Sequence, residues 1–346
     1  MRALGLDIGT TQIKAALLNA GDNVIAEYAL PTPYANPRAT HSLAAGDPVI
    51  AGDLDMEKVV AYCRSLADDF SKRFGSIDVI GVTGQMHGLG FLDKHGQIVG
   101  NYFSWRNDIG AHIERDEIIR LLEVDDRLAS TDLLPDGPGI GVRILAGIAR
   151  HGAIPSSAQY ISFVPEIVTH AINGFSNHVS RTSLAASGFL CEADGQLQGL
   201  AVATHPLNNF DGVFDSNPFE GVSSAASLTS IAVFATSGDF QAAAYGADLR
   251  PDELLINMGT GGQVAKIVED IDPLTRHEYR PYFGGCLLCC QAGLSSGGAY
   301  SGVDPSDFDD IDDLVAQQFS ECIGDWLATT HINQIVIQGG LTSFRP

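Results

Sequence analysis

Residues 4–11 are Leu4-Gly5-Leu6-Asp7-Ile8-Gly9-Thr10-Thr11, and they are the strongest indication of the fold. An apolar strand enters a Gly-Thr turn, and a second apolar strand, Ile13 to Leu18, follows at once. A near copy stands at residues 254–261, Leu254-Leu255-Ile256-Asn257-Met258-Gly259-Thr260-Gly261, and runs into the strand Val264 to Val268. Glycine and small polar residues suit hairpin turns in general, so a chance likeness is the alternative. The repetition predicts a duplicated fold in which each half opens with a strand–turn–strand.

The turn in the first copy has the residue types of a phosphate site. A glycine-containing turn between strands presents consecutive backbone N–H groups, which can hold phosphate oxygens. Asp7 beside it could bind Mg²⁺ directly or through water, and Lys14 on the return strand adds positive charge. The second copy carries Asn257 in place of Asp7, so only the first half has the carboxylate. Neither stretch has the spacing of a P-loop or of a dinucleotide-binding turn.

Length and charge narrow the class of protein. The chain has 346 residues, more than one hydrophobic core usually supports, so two domains are expected. Its formal net charge is −22, from 20 basic and 42 acidic residues, and such a field repels nucleic acid and anionic membranes. No apolar run has the length of a signal-peptide core or a membrane span. Three of the six cysteines cluster at residues 286–290, but a zinc site would need a second closely spaced ligand pair, and the sequence shows none. These observations predict a cytoplasmic protein with reduced thiols.

The hydrophobic pattern predicts an α/β protein. Residues 3–30 alternate apolar segments with turns, which is typical of a β-meander. Residues 56–74 have helical spacing, and residues 77–82 form a short apolar strand. Beyond that strand we expect helices alternating with loops up to about residue 173, and then a strand-rich region over residues 179–190.

A candidate catalytic carboxylate follows a glycine later in the chain. Asp239 comes directly after Gly238 and opens an alanine-rich run that favours helix. A helix N-cap is the simplest role for such an aspartate. The same carboxylate at the mouth of a cleft could accept a proton from a sugar hydroxyl, and the two roles are compatible.

Residues 85–87, Gln85, Met86 and His87, form a candidate sugar-binding segment. They lie just past an apolar strand, where α/β sheets usually place ligands. The glutamine and histidine offer hydrogen bonds to hydroxyls, and Trp105 shortly downstream has a flat face on which a sugar could stack. A histidine in a loop is often merely solvated, so that alternative stays open.

Two other motifs match functional patterns less well. Residues 293–297 fit the G-x-S-x-G nucleophile elbow, but βα units should precede such an elbow, and this chain opens with a meander. The acidic run over residues 304–313 lacks the central glycine and terminal glutamate of a calcium loop. We expect that run to begin a helix, where carboxylates favour the dipole.

Taken together, these segments resemble the FGGY family of carbohydrate kinases, within the actin-like ATPase superfamily. The matching segments follow the family's order along nearly the whole chain: Asp7 to Thr11 with Lys14, Gly84 to Gly88, Trp105, Phe163 to Gly174, Arg181 to Gly188, Gly238 to Gly246, Asn257 to Gly261, and Gly339-Gly340. Among them, residues 163–174 and 181–188 are similar to the family's mid-domain helix and the strand that follows it. Residues 280–284, with residues 294–298 following them, are most similar to the sedoheptulokinase subfamily.

The resemblance assigns roles residue by residue. It makes Asp239 the catalytic base. It places the sugar contacts at Gln85, Met86, His87 and Trp105, with Asn107 or Asp108 as a further contact. It also implies ATP as the phosphoryl donor, with Mg²⁺ near Asp7. The ATP phosphates would lie against Asp7, Gly9, Thr10, Thr11 and Lys14, against Gly259, Thr260 and Gly261, and against Gly339 and Gly340.

The resemblance also implies an architecture of two ribonuclease-H-like lobes around a central cleft. Residues 1–246 would be an N-terminal FGGY domain that binds sugar and carries catalysis. Residues 247–346 would be a C-terminal FGGY domain that binds nucleotide. Family members continue well beyond the Gly-Gly after the last strand, whereas this sequence stops at Pro346. We therefore expect the second lobe to be shortened.

The expected activity is ATP-dependent phosphorylation of the terminal hydroxyl of a ketose, with sedoheptulose as the best match. The alternatives are a xylulose- or ribulose-type pentulose kinase, a non-catalytic sugar-binding relative with a degenerate ATP site, and an actin- or chaperone-like ATPase. The last has no reason to carry the sugar-binding segment together with Trp105. The expected partners are the sugar and ATP, without nucleic acid or membrane, and a homodimer is left open.

Overall fold

The computed structural model describes residues 1–34, 53–123, 139–174, 179–193, 196–199, 232–259, 261–272, 277–300, 303–304 and 308–339. The chain divides into two units, residues 1–242 and residues 243–346. The sequence predicted a division at residue 246. None of the helices in the described ranges is long and apolar enough to cross a membrane.

Within its described residues, the first unit combines ten strands with helices that pack on them. The strands are β1 (Ala3–Ile8), β2 (Gln12–Leu18), β3 (Val24–Pro31), β4 (Val79–Gly84), β5 (Leu89–Leu92), β6 (Ile98–Phe103), β7 (Tyr160–Ser162), β8 (Leu190–Ala193), β9 (Gln196–Gly199) and β10 (Ala232–Gly238). The helices are α1 (Met56–Phe74), α2 (Arg115–Leu122), α3 (Ile140–Arg150), α4 (Val164–Asn173), α5 (Arg181–Ala186) and α6 (Asp239–Gly246), the last of which crosses into the second unit.

A five-stranded sheet in the order β10-β4-β1-β2-β3 forms the centre of the first unit. β1, β2 and β3 are the predicted antiparallel meander, while β4 runs parallel to β1 and β10 runs parallel to β4. In register, Ile8 is the partner of Gly84, and Gly84 is the partner of Gly238. Three parallel strands therefore end side by side at one edge of the sheet.

One face of this sheet is closed by α1, the helix that the sequence predicted. Alternate residues of β1 are buried, and their side chains form one hydrophobic cluster with the buried residues of α1 and α4. Asp55 begins α1, because its carboxylate accepts a hydrogen bond from the backbone N–H of Lys58 at 3.1 Å. Asp7 lies on the opposite face of β1 from the buried Leu6 and Ile8, because side chains alternate along a strand.

Two expectations for the middle of the first unit are wrong. The structure has a small antiparallel sheet, β6-β5-β7, where only helices and loops were expected, and its apolar residues share a second hydrophobic cluster with α2 and α3. Residues 179–190 were expected to be strand-rich, but α5 occupies half of them. Ser180 caps that helix by accepting a hydrogen bond from the backbone N–H of Ser183 at 3.2 Å, and this local capping favours a helix.

The second unit repeats the core of the first. Its elements are β11 (Glu253–Met258), β12 (Gly262–Val268), β13 (Glu278–Pro281), β14 (Leu287–Leu294), α7 (Phe308–Thr329) and β15 (Gln334–Gln338). The strand order β15-β11-β12-β14 matches β4-β1-β2-β3, with one parallel pair and two antiparallel pairs in the same places. The predicted duplication is therefore confirmed. The acidic run begins α7 as expected, and Val315, Phe319, Cys322 and Trp326 of that helix pack on the sheet.

Candidate active site

The predicted site residues of the first unit lie where the three parallel strands end. Asp7 is the last residue but one of β1, Gln85 follows β4 directly, and Asp239 follows β10 directly. The backbone N–H of Gln85 donates to the carbonyl of Ile8 at 2.9 Å and ties the end of β4 to the end of β1. Adjacent strands lie about 4.8 Å apart, so the chain segments bearing these three residues begin close together.

The Gly-Thr turn after β1 is held through its carbonyl groups. The hydroxyl of Thr32 donates to the carbonyl of Gly9 at 2.7 Å, and the hydroxyl of Tyr34 donates to the carbonyl of Thr10 at 2.6 Å. The backbone N–H of Thr32 donates to the carbonyl of Thr11 at 3.1 Å. All three carbonyls are thus bonded from one short segment at the end of β3.

This arrangement sets the direction of the N–H groups in the turn. In a trans peptide unit the N–H points away from the C=O that precedes it. The N–H groups of Thr10 and Thr11 therefore face away from Thr32 and Tyr34, which is the geometry of a small anion-binding concavity. The N–H of Gly9 does not take part, because it donates to the carbonyl of Gln12 at 3.0 Å and closes the turn. Within the predicted phosphate turn, the backbone N–H groups that could bind phosphate are therefore those of Thr10 and Thr11.

Asp7 carries a carboxylate that suits a cation. Burial raises its pKa from 3.8 to about 6, and the opposing attraction of Lys14, its register partner on β2, lowers it in part. Within the described part of the chain, its buried Oδ1 atom has no hydrogen-bond partner. A half-buried carboxylate with an unused oxygen fits Mg²⁺, which favours a few carboxylates and retained water. At pH 7 the group is mostly ionised.

Gln85 is buried beside the strand ends with an unused side chain. It is 2% exposed, and neither atom of its amide has a hydrogen-bond partner among the residues that the structure describes. A buried amide without partners lowers the free energy of unfolding by about 1–3 kcal/mol, so such groups usually bind a ligand or a water molecule. This is the environment expected of a group that binds a hydroxyl.

Met86 and His87 are held by different contacts. Gly238 leaves room for Met86, since a Cβ atom on Gly238 would lie 1.9 Å from the Met86 sulfur. His87 has a φ of 71°, and its Nδ1 contacts the carbonyl oxygen of Ala186. A carbonyl oxygen only accepts hydrogen bonds, so Nδ1 carries the proton and Nε2 of the neutral ring is an acceptor. The contact fixes the ring and makes Nε2 suitable for a sugar hydroxyl.

Trp105 contacts the predicted phosphate turn. Its indole Nε1 donates to the hydroxyl of Thr10 at 3.1 Å. The loop that bears Trp105 is anchored by Asp53, whose carboxylate accepts from the N–H of Ser104 at 2.6 Å and from its hydroxyl at 2.7 Å. Two predicted sets of residues, one for sugar and one for phosphate, are therefore joined by a hydrogen bond.

The structure distinguishes Asn107 from Asp108. The Oδ1 atom of Asn107 accepts from the backbone N–H of Ile109 at 3.1 Å, so it stabilises its own loop. Asp108 is exposed to solvent. Of the two candidates, Asp108 therefore has the carboxylate that a ligand could reach without breaking that turn.

Asp239 is the first residue of α6. Its Oδ1 accepts from the backbone N–H of Phe240 at 2.8 Å. The preceding N–H, that of Gly238, donates to the hydroxyl of Thr182 at 3.3 Å. The candidate base is therefore positioned from both sides of its turn.

A buried network behind Asp239 was not foreseen from the sequence. Glu166 is 1% exposed, and its Oε1 accepts from the N–H of Ser180 at 3.1 Å and from the hydroxyl of Ser183 at 2.8 Å. Ser180 in turn contacts the hydroxyl of Thr182 at 3.0 Å. In the sequence, Glu166 after Pro165 indicates only a helix start, and nothing local signals the network.

The second unit arranges its glycines around the end of β11. The carbonyl of Gly259 accepts from the N–H of Gly297 at 2.9 Å. Gly339 has a φ of 111°, and a Cβ atom there would lie 2.4 Å from backbone atoms of Met258. Gly261 begins the return to β12, whereas Thr260 and Gly340 lie outside the described residues. The glycines at 259 and 339 thus flank one strand end, as the resemblance implies for a phosphate turn.

The elbow-like motif at residues 293–297 supports this second turn instead of forming a nucleophile site. The N–H of Ser295 donates to the side chain of Gln318 at 2.6 Å. Gly297 supplies the donor to Gly259. The central serine of the motif therefore bonds to α7, and its last glycine bonds to the β11 turn.

Comparison with known proteins agrees with this picture. Residues 2–159 match the family model of the N-terminal domain of the FGGY family of carbohydrate kinases. Human sedoheptulokinase is 24% identical in an alignment that covers 85% of this chain and 66% of that protein. Xylulose kinase of Bacillus subtilis strain 168 is 29% identical over 105 residues, which are 30% of this chain and 20% of that protein. The predicted resemblance is confirmed.

Solved structures show the same fold. The ligand-bound xylulose kinase of Lactobacillus acidophilus has a TM-score of 0.65 at 17% identity and covers 90% of this chain, which spans 65% of that one. Glycerol kinase of Plasmodium falciparum with ADP has a TM-score of 0.66 at 12% identity, with 100% of this chain and 83% of that chain covered. The chain thus has the fold of these kinases, while it spans less than two thirds of the length of the sedoheptulokinase and xylulose kinases it matches.

Proposed function

We propose, on the premise that residues 2–159 are an N-terminal domain of the FGGY family of carbohydrate kinases, that this protein is an ATP-dependent kinase acting on the terminal hydroxyl of a ketose. One observation carries the proposal. The ends of β1, β4 and β10 bring together, at one edge of one sheet, the carboxylate that we propose for the cation, the segment that we propose for the sugar hydroxyls and the candidate base. Each group is of the type that one part of phosphoryl transfer requires.

The sugar would be oriented by three side chains. The unused amide of Gln85 and the accepting Nε2 of His87 would bind hydroxyls, and the ring of Trp105 would lie against the sugar face. Asp239 would accept the proton of the terminal hydroxyl as that oxygen attacks the γ-phosphorus of ATP. The fixed positions of these groups, more than any covalent chemistry by the protein, would provide the rate increase.

The phosphate groups would be bound by backbone N–H donors and by charge. The N–H groups of Thr10 and Thr11 face away from Thr32 and Tyr34, respectively, and Lys14 lies opposite Asp7 on the neighbouring strand. Asp7 would hold Mg²⁺, which when bound offsets the negative charge of the triphosphate. These local groups matter because the net charge of −22 repels an anionic substrate.

Sedoheptulose is the substrate that we propose first. Human sedoheptulokinase aligns over 85% of this chain, which is the broadest of the curated matches. Xylulose is the second candidate, since the xylulose kinases of B. subtilis and L. acidophilus are also among the relatives. An assay of ADP release with sedoheptulose, xylulose, ribulose, fructose and glycerol distinguishes these candidates.

The variant Asp239→Asn tests the mechanism. We expect loss of ketose-dependent ADP formation by about 100-fold or more, because the proton acceptor is removed, while sugar affinity stays largely intact. Asp248→Asn is the matched control, since Asp248 is exposed and its positive φ suits asparagine. Turnover near the wild-type value in Asp239→Asn would refute the base assignment. Sugar binding by the wild-type protein without any ADP formation would favour the non-catalytic alternative.

A further inference from the structure

Thr10 has two side-chain donors from different parts of the first unit. Its hydroxyl accepts from the indole of Trp105 at 3.1 Å, and its carbonyl accepts from the hydroxyl of Tyr34 at 2.6 Å. Trp105 belongs to the proposed sugar site, while Thr10 belongs to the proposed phosphate turn. The indole bond is thus a direct link between the two binding sites.

The segments that bear Tyr34 and Trp105 are both anchored near residues 53–54. Leu54 forms β-bridges both with Tyr34 and with Tyr102, which lies shortly before Trp105. Asp53, next to Leu54, binds both the N–H and the hydroxyl of Ser104. Leu54 therefore pairs with both the segment bearing Tyr34 and the strand that leads to Trp105, Asp53 anchors the Trp105 loop, and Thr10 is bonded to both Tyr34 and Trp105.

We propose that the hydrogen bond from Trp105 to Thr10 couples sugar binding to phosphate binding. A sugar stacked on Trp105 restricts the indole, the indole fixes the hydroxyl of Thr10, and the turn then presents the N–H groups of Thr10 and Thr11 in one arrangement. Once the first ligand has ordered the indole and the turn, the second ligand binds without that entropic cost, so each ligand raises the affinity for the other. Thermodynamic linkage requires that each raises the affinity for the other by the same factor. This inference rests on the proposed function and adds to it a positioning role for Thr10.

The coupling predicts that the protein transfers phosphate to sugar in preference to water. Without a sugar against the indole, the hydrogen bond from Trp105 would restrict the hydroxyl of Thr10 less, and the turn would hold phosphate less firmly. Hydrolysis of ATP by water would then be disfavoured relative to transfer to the sugar. The hydrogen bond would therefore contribute to selectivity between sugar and water as acceptors.

Three substitutions isolate the bond. Trp105→Phe keeps an aromatic face and removes the N–H, while Thr10→Val keeps the side-chain shape and removes the hydroxyl. Thr10→Ser retains the acceptor and should restore the coupling. Tyr28→Phe is the control, because Tyr28 is 49% exposed on β3 and also loses a single polar group.

The measurement is the dissociation constant of sedoheptulose or xylulose, by calorimetry, with and without Mg²⁺ and the non-hydrolysable ATP analogue AMPPNP. The ratio of the two constants is the coupling factor. We expect a factor above one for the wild-type protein, Tyr28→Phe and Thr10→Ser. Trp105→Phe and Thr10→Val should each lower the coupling factor by about three- to tenfold, which is the effect of one neutral hydrogen bond. If the wild-type factor is smaller than that, the variants should reduce it to one. The double variant should lose no more than either single variant, because both remove the same bond.

A spectroscopic readout reports the bond directly. The chain has two tryptophans, and Trp326→Phe leaves Trp105 as the single emitter. In that background AMPPNP with Mg²⁺ should shift the Trp105 emission, and Thr10→Val should abolish the shift. This readout would not respond to a general loss of stability that leaves the protein folded.

The outcomes separate the coupling from the function on which it rests. If the wild-type protein forms ADP with a ketose but binds sugar and AMPPNP independently, the coupling is refuted and the proposed function stands. If Trp105→Phe and Thr10→Val reduce coupling additively, the bond is not its source. If no ketose supports ADP formation or binding, the proposed function fails and the coupling fails with it.

Discussion

The partly buried carboxylate of Asp7 suits the proposed Mg²⁺ site, but its burial lowers the stability of the folded protein. Its pKa is raised from 3.8 to about 6 by burial, with partial compensation from Lys14. Between these two pH values the folded protein binds more protons than the unfolded chain, so stability falls as pH rises from 3.8 to about 6 and then stays low. An asparagine at this position has no charge to bury. Asp7→Asn should therefore stabilise the protein above pH 6 while it removes a ligand for Mg²⁺.

The size of the effect follows from the shift. A difference of roughly two pKa units corresponds to about 3 kcal/mol. Because the side chain is not wholly enclosed, water offsets part of this, and we expect a gain of about 1–3 kcal/mol in the free energy of unfolding at pH 8. For a unit of this size, each kcal/mol raises the melting temperature by about 2–4 °C. The gain should vanish below pH 3.8, where the carboxyl is protonated in both states.

The assay is thermal unfolding of the wild type and Asp7→Asn between pH 4 and pH 8, with titration of AMPPNP in the presence of Mg²⁺. Asp22→Asn is the control, since Asp22 is exposed in the β2–β3 turn and its positive φ suits asparagine. We expect Asp7→Asn to melt at a higher temperature than the wild type at pH 8 and to bind the nucleotide more weakly. A variant that melts at the same or a lower temperature, or a difference that does not change with pH, would refute the reasoning.

Two glycines give further predictions about packing. Gly238→Ala should lower the free energy of unfolding by about 1–3 kcal/mol and raise the KM for the sugar, since the new methyl would displace Met86. Gly246→Ala, at the end of the helix α6 that follows Gly238, is its control, since nothing lies within 4 Å of a Cβ atom there, and equal effects on both would contradict the argument. Gly339→Ala should cost about 2 kcal/mol or more in urea unfolding, because its φ is 111° and the obstructing atoms are backbone. Gly324→Ala in α7 has open space and should stabilise the protein by about 1 kcal/mol, so a stable Gly339→Ala variant would show that the turn adapts.

The elements predicted well from the sequence are those whose pattern is local and long. The meander and α1 follow from apolar residues at spacings of two and of three to four. β5 and β7 are four and three residues long, and their pairing joins residues 90–92 to residues 160–162. No local period can indicate a pairing across such a distance. α5 was missed for another reason, because the capping bonds of Ser180 determine it more than any hydrophobic period.

The site divides in the same way. Asp7, Gln85 and Asp239 could be found because each lies at the end of a strand or directly after one, and parallel strands end at a common edge. Their supporting partners could not. Thr32 and Tyr34 bond to a turn more than 20 residues away, and Trp105 bonds to Thr10 at a separation of 95. Contacts of this kind depend on tertiary structure, and the polar residues that make them are common in loops.

The duplication shows how one scaffold can serve two electrostatic roles. In the first unit Asp7 is the register partner of Lys14, and in the second unit Asn257 is the register partner of Gln263. A carboxylate and an ammonium are thus replaced at equivalent places by two neutral amides, while the strand order around them is unchanged. If the two turns bind phosphate as proposed, the first would have a carboxylate and an ammonium beside it, whereas the second would offer phosphate only hydrogen bonds. A carboxylate at the second turn would repel phosphate groups, so the neutral pair is consistent with the phosphate-binding role proposed for that turn.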